Sequence, residues 1–331
     1  MTNVAINGLG RIGRAAMKII LDDPELSLVG INDLVSPENL AYLLKYDTVY
    51  GRYGKHVSYA ENQLTVDGTA YEVFHETNPA DIPWGDRDVD VVLECTGIFR
   101  TTDDLRQHME AGAKRVLLSA PPKDDIPLVV HGVNTVDGDA PIVSCASCTT
   151  NCTAPVVEVI GRRIGMRKAV MTTIHAYTST QEVVDGPSKK LRRGRAAACN
   201  LVPTTTGAAV ATTKVLPQYE GRFDGMAARI PIPCGSLTDM VILAEKPTTV
   251  DDVNAILSEE TESQRYQGIL GVTKEPLVSA DIIGDSRASV VDLSMTQVID
   301  GDLLKIMSWY DNEWGYAAQM VREALRPFDA G

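Results

Sequence analysis

"INGLGRIGR", residues 6–14, sets Gly8, Gly10 and Gly13 in a G-x-G-x-x-G spacing directly after the short apolar run "NVAI" (3–6). The run before it reads as a strand, and the segment after it as a helix whose apolar face takes in Ile12, Ala16 and Ile19. Glycine at the three positions permits a tight turn, close approach of backbone to a pyrophosphate, and close packing of helix on strand. The helix N-terminus then offers N–H groups and the positive end of its dipole to phosphate. Asp33 lies 20 residues beyond Gly13, at the end of "GIND", where a carboxylate can accept hydrogen bonds from an adenosine ribose. The same charge repels a 2′-phosphate, so the expected cofactor is NAD rather than NADP. The bland alternative is a glycine-rich turn with an accidental acid.

Outward from this motif, "LSLVGI" (26–31), "VDVVLECT" (89–96), "RVLLSA" (115–120) and "PIVSCA" (141–146) read as buried strands, several separated by helical segments. That is the pattern of a parallel α/β sheet, here a Rossmann-type dinucleotide-binding domain. Past residue 147 the grammar changes. "AVMTTIHAY" (169–177), "GMAARIPI" (225–232), "TDMVILAE" (238–245), "ASVVDLSMTQVI" (288–299) and "LLKIMSWYD" (303–311) follow one another more directly. The last two are joined by "DGD" (300–302), a hairpin turn, so the second domain is expected to be α+β on a mostly antiparallel sheet. "WGYAAQMVREALRPF" (314–328) reads as an amphipathic helix ended by Pro327.

Composition narrows the function classes. The 331 residues are 44% hydrophobic and 23% charged, enough for two domains with cores of their own. No export signal and no membrane-spanning run is visible, which points to the cytoplasm. A net charge of -13 opposes nonspecific nucleic-acid binding and attachment to anionic membranes; it serves solubility and would also suit a salt-rich cytoplasm. Six cysteines without an export signal read as reduced thiols.

Three of those thiols, Cys145, Cys148 and Cys152, fall within "SCASCTTNC" (144–152). A metal or cluster site would need a fourth ligand, and no His or Cys is nearby in sequence to supply it, so no metal is expected. If "PIVSCAS" is a strand and "TTNCTAP" opens a helix, Cys148 sits at the junction, where the helix N-terminus should depress its pKa. Pro155 warns that this helix starts later or kinks. A thiolate needs a base. His175, at the end of the strand "AVMTTI", is the candidate, while His56, His75, His108 and His131 stand in loops or helices without comparable neighbours. Farther on, Arg195, Thr206, Gly207 and Arg229 are residue types suited to an anionic phosphate, although each arginine alone is equally a surface charge.

"INGLGRIGR", "IND", "SCASCTTNC", "TIHAYTSTQ", "DGPSKKLRRGRAAACNLVPTTTGAA" and "SWYDNEWGY" together resemble phosphorylating glyceraldehyde-3-phosphate dehydrogenases, in the same order and nearly end to end. The resemblance implies an NAD-binding domain over 1–147, to which the C-terminal helix (313–331) packs back, a catalytic domain over 148–312 containing an S-shaped loop between His175 and about Val202, and a homotetramer. It implies Cys148 as nucleophile and His175 as base. Thr178, Arg195 and Arg229 resemble the groups that hold the phosphate of glyceraldehyde 3-phosphate, and Ser147, Thr149, Thr206 and Gly207 those that receive inorganic phosphate. Asn7, Gly8, Gly10, Arg11, Ile12, Gly13 and Asp33, with Thr96, Gly97 and Ser119, would line the cofactor cleft, and Asn312 and Tyr316 would position the nicotinamide.

The chain departs from the family pattern at Thr77 and Asn78, where an Arg-Asp pair near the adenine is frequent, and at Cys145, where Asn is usual. Gly186 and Pro187 are kept, as in NAD-preferring members. Three other readings stay open on sequence alone: an erythrose-4-phosphate dehydrogenase, a cysteine hydrolase built on Cys148 and His175, and a nonenzymatic nucleotide-binding protein.

Overall fold

A computed structural model describes residues 1–136 and 140–327. Residues 328–331, which include Phe328 at the end of the expected C-terminal helix (313–331), and residues 137–139 of the first domain lie outside the described residues. The chain divides into two compact units, one of residues 1–129, 135–146 and 320 onward, the other of 130–134 and 147–319.

In the first unit eight strands form one sheet. Thr2–Asn7 is central, paired in parallel with Leu26–Asn32 on one side and with Val91–Glu94 on the other. Arg115–Leu118 and Ile142–Ser144 continue the parallel order beyond Val91–Glu94. The chain thus winds first to one side of Thr2–Asn7 and then to the other, leaving a crevice at the carboxyl ends of the strands where doubly wound sheets hold ligands. An antiparallel edge of Thr69–Phe74, Gln63–Val66 and Val57–Ala60, not anticipated from the sequence, closes the far side. The strands are short and buried on both faces, which is why they read as continuous apolar runs. Trp84, Val92, Leu105 and Val116 pack in the core on one side.

The second unit is built on a sheet whose long strands, Met166–Ala176, Phe223–Ile230, Ser236–Ala244 and Leu303–Tyr310, run mainly antiparallel. Met166–Ala176 with Phe223–Ile230, and Leu270–Thr273 with Ser289–Asp292, are parallel exceptions. Strict alternation of buried and accessible residues along Ser236–Ala244 and Leu303–Tyr310 shows that one face is covered more fully than the other. The segment 288–299, expected as one strand, is interrupted by a 3-10 turn at Leu293–Met295 capped by the Asp292 side chain. Its second half pairs with Leu303–Tyr310 through the three residues 300–302, in which Asp300 and Gly301 both have positive φ, 49° and 77°, and the Asp302 N–H donates to the Ile299 carbonyl at 3.3 Å. The helix Cys148–Arg163 is buried along almost its entire length, and Pro155 lies inside it without ending it. Among the described residues no helix is long and apolar enough to cross a membrane.

Candidate active site

Ser147 caps the helix Cys148–Arg163, its hydroxyl accepting from the Thr150 N–H at 3.1 Å, so Cys148 is the first helical residue. Just before it Ala146 holds a left-handed φ of 57°, a conformation that costs a non-glycine residue about 1 kcal/mol. The three clustered thiols do not converge on one centre. Cys152 is buried with its Sγ 3.6 Å from the Ser289 hydroxyl, Cys145 is buried, and none of the six cysteines is in a disulfide.

Cys148 alone meets a histidine. Its Sγ lies 3.4 Å from His175 Nε2, because Met166–Ala176 ends beside the helix start. His175 Nδ1 is 2.6 Å from the Ala176 carbonyl oxygen, and Arg229 Nη1 lies 2.8 Å from the same Nδ1 and 2.7 Å from the same carbonyl. A guanidinium only donates, so both it and a protonated Nδ1 are satisfied by the carbonyl, leaving the Nε2 lone pair facing sulfur. Burial first, and the charge of Arg229 second, hold the imidazole far down, to about 3, so the ring is neutral at ordinary pH. The sequence expectation of a depressed thiol needs correction. Burial pushes Cys148 up, opposed by the charge of Arg229 and hydrogen bonds from Thr149. Burial likewise drives the Cys152 thiol up, to about 11.

Of the phosphate candidates, Arg229 is in direct contact with His175. Arg229 keeps a buried Nε with no hydrogen-bond partner among the described residues. Arg195, however, donates from Nε to Asp185 at 2.8 Å in an exposed ion pair. Arg193 acts on both His175 and Arg229 through its charge, lowering the pKa of each, and is held by Thr204 Oγ1 at 3.1 Å and Thr180 Oγ1 at 3.2 Å. Thr178 bonds Thr180 in the same loop at 2.9 Å. Thr206 caps Ala208 N–H at 3.1 Å, and Gly207 has open space where a side chain would stand. The Thr149 hydroxyl is turned inward to Tyr310 Oη at 2.9 Å, so a phosphate would meet its backbone rather than its side chain. Asn312 is buried with Oδ1 accepting from Ser236 Oγ at 2.9 Å, and Tyr316 is buried in the final helix.

In the first unit a cavity of about 300 Å³ opens at the strand ends, walled by Asn7, Gly8, Gly10, Asp33, Thr77 and Thr96 among others. Gly8 has φ of 92°, and a Cβ there would lie 2.9 Å from the Thr96 backbone; a Cβ on Gly13 would lie 2.0 Å from the Gly8 carbonyl oxygen. Asp33 Oδ2 accepts from Leu9 N–H at 2.7 Å, fastening the glycine turn to the end of the next strand. Ile12 and Gly13 follow in the helix, Gly97 turns the chain after Thr96, and Ser119 hydrogen-bonds the Cys95 thiol; none of these lines the cavity directly. Arg11 turns its guanidinium to Asp47 at 2.5 Å and over the Tyr50 ring, so its side chain is not directed to a phosphate.

The family model described as the glyceraldehyde 3-phosphate dehydrogenase NAD binding domain matches residues 2–102, and that of the C-terminal domain matches residues 147–312. The chain belongs to the glyceraldehyde 3-phosphate dehydrogenase family. Among similar curated proteins are glyceraldehyde-3-phosphate dehydrogenase 2 of Streptomyces avermitilis, 48% identical over 96% of each chain, and the glyceraldehyde-3-phosphate dehydrogenases of Haloarcula vallismortis, 47% over 96% of each, and Thermotoga maritima, 48% over 97% of each.

NAD, the cofactor of this dehydrogenase family, fits the first unit on the structure's own terms. No side chain caps the helix Arg11–Ile20, and a Cβ on Gly10 would meet nothing within 4 Å, so a pyrophosphate has both a dipole end and room. Thr77 lines the cavity, while Asn78 is spent capping the turn Pro79–Asp81.

Sequence reasoning missed two groups in this dehydrogenase. Arg193 sits two residues before the arginine chosen, in a loop whose geometry no periodicity reveals. His108, set aside as lacking neighbours, is fully buried between Trp84 Nε1 at 3.0 Å and Glu94 Oε2 at 3.2 Å. A histidine and an acid that follows an apolar strand were the available signal.

Proposed function

We propose that the chain oxidises D-glyceraldehyde 3-phosphate with NAD and inorganic phosphate to 1,3-bisphosphoglycerate, through a thioester on Cys148. The observation that carries this reading is the 3.4 Å approach of Cys148 Sγ to the Nε2 of a neutral His175. His175 Nε2 takes the thiol proton, the thiolate adds to the aldehyde carbon, and the same proton passes from Nε2 to the carbonyl oxygen, giving a thiohemiacetal and restoring the neutral imidazole. His175 then removes the hydroxyl proton from that adduct. NAD, when bound, supplies the hydride acceptor. Cys148 is left carrying a thioester, which phosphate attacks at the acyl carbon, expelling Cys148 as thiolate. Arg229, Arg193 and Thr178 supply the donors for the phosphates of substrate and product. Asp33 directs the cofactor choice toward NAD.

The same reading makes the chain a cytoplasmic homotetramer. Val170 and Met226, exposed on strands of the second unit, together with Val210 offer an apolar surface suited to a neighbouring copy. NADH formation from glyceraldehyde 3-phosphate, with and without phosphate and against erythrose 4-phosphate, tests the activity. Phosphate-dependent turnover preferring the three-carbon aldehyde is expected, and phosphate-independent turnover would contradict it. Light scattering of the purified protein tests the assembly.

A further inference from the structure

Glu94 closes the strand Val91–Glu94 without any exposed surface, just beneath the cavity of the first unit. Its Oε1 accepts from the Thr96 N–H at 2.7 Å and from the Thr96 hydroxyl. Its Oε2 accepts from Asn7 Nδ2 at 2.6 Å and meets His108 Nε2 at 3.2 Å. On the far side of the ring, Trp84 Nε1 donates to His108 Nδ1 at 3.0 Å. An indole N–H can only donate, so Nδ1 carries a lone pair and the ring proton stands on Nε2, pointing at Glu94. Four donors therefore converge on one carboxylate, and nothing accepts from it. A carboxylic acid or an amide at this position would set its own proton against a donor.

What hangs from Glu94 is the wall of the cavity. Asn7 and Thr96 line it directly. Asn7 Oδ1 accepts from Asn32 Nδ2 at 2.8 Å, and Asn32 in turn is bonded to the backbone of Glu76, its Oδ1 accepting from the N–H at 2.9 Å and its Nδ2 donating to the carbonyl at 3.0 Å. Asn32 and Glu76 line the cavity as well. Gly8, whose turn faces the pyrophosphate, rests on Thr96 too closely for any side chain. A shift of Thr96 is therefore a shift of the glycine turn.

We propose that Glu94 is the positioning residue of the NAD site, a buried carboxylate that holds Asn7, Thr96 and through them the glycine turn in the cofactor-binding arrangement, with His108 and Trp84 fixing its own orientation. It touches neither substrate nor cofactor. The inference rests on this cavity being the NAD site, and an Asp33→Ala arm tests that separately: unchanged NAD affinity in Asp33→Ala would mean that NAD binds elsewhere.

The test is NAD titration and steady-state kinetics of the full chain carrying Glu94→Gln. The expected result is a Kd and KM for NAD raised about 10-fold or more, the size of one lost charge-assisted hydrogen bond, with KM for glyceraldehyde 3-phosphate within about 3-fold of wild type. Unchanged NAD affinity, or equal changes in both KM values, would overturn the proposal, since the first shows no role and the second a general loss of structure. If Glu94→Gln does not fold, Thr96 decides. Thr96→Val keeps the volume and removes the hydroxyl that Glu94 holds; it should lose NAD affinity by several-fold, and Thr96→Ser should recover it. A Thr96→Val protein that binds NAD as tightly as Thr96→Ser would contradict the role assigned to Glu94.

Discussion

Arg229 Nη1 and His175 Nδ1 share one acceptor, the Ala176 carbonyl oxygen, at 2.7 and 2.6 Å. The guanidinium thereby does two things at once. Second to burial, it holds the imidazole neutral, so that Nε2 can take a proton, and it lowers the cost of charge on Cys148.

The effect is legible in pH dependence. His175 is held at about 3 against an ordinary 6.5, so the unfolded chain binds the extra proton throughout that window. Stability is full above about pH 6.5 and falls as pH drops toward 3, with a slope of about 1.4 kcal/mol per pH unit from this one group. His175→Asn should remove that part of the acid loss, measured as the difference in urea midpoints between pH 7 and pH 5. An identical pH dependence in both proteins would show that the ring is not buried neutral.

Arg229→Gln removes the charge that lowers Cys148. Its thiol should titrate higher, and alkylation by iodoacetamide at pH 7 should slow several-fold, about 10-fold for one pKa unit. An alkylation profile superimposable on wild type would separate Arg229 from the thiol.

Among the clustered thiols, Cys148→Ser should abolish dehydrogenase activity, while Cys145→Ser and Cys152→Ser should fold and turn over. Cys152 already faces Ser289 Oγ, so a serine there finds a partner and should cost about 1 kcal/mol in stability. Equal loss in all three variants would sink the single-nucleophile reading.

The two arginines of "RRGR" should part company. Arg193→Ala should raise KM for phosphate or for the phosphorylated aldehyde by about 10-fold or more, because a charged hydrogen-bonding donor is lost. Arg195→Ala breaks an exposed, solvent-screened pair with Asp185 and should stay within a few-fold of wild type. The reverse ranking would restore the sequence-based choice.

Cofactor discrimination rests on Asp33. A like charge opposite a 2′-phosphate should cost about 1.4 to 3 kcal/mol, roughly 10-fold to 150-fold in kcat/KM. Asp33→Ala should narrow the NAD preference, and since Oδ2 also holds Leu9 N–H, it should weaken NAD binding as well. An unchanged ratio of NAD to NADP use at fixed salt would place this carboxylate away from the ribose.

The local features of this fold could be read from the chain because each is decided within a few residues. The glycine turn, the strand before it, Asp33 and the Asp300–Gly301 hairpin all depend on short-range backbone demands. The same holds for Cys148 at a helix start, where Ser147 supplies the cap. What escaped were relations between distant segments. The parallel pairing of Met166–Ala176 with Phe223–Ile230, the ion pair of Arg195 with Asp185, and the Trp84–His108–Glu94 chain are set by how elements pack, and nothing in residue spacing records that. The upward push on Cys148 was missed for a similar reason: a helix N-terminus is visible in sequence, whereas burial is not.

Single-turnover hydride transfer, followed as NADH absorbance after mixing enzyme and NAD with glyceraldehyde 3-phosphate in the absence of phosphate, tests the Cys148–His175 assignment most directly. Wild type should give one rapid burst of NADH per active site and then stall at the thioester. Cys148→Ser should give no burst, and His175→Asn a burst slowed by roughly 100-fold, the usual consequence of losing a general base. A burst of wild-type rate in His175→Asn, or any burst in Cys148→Ser, would contradict the account.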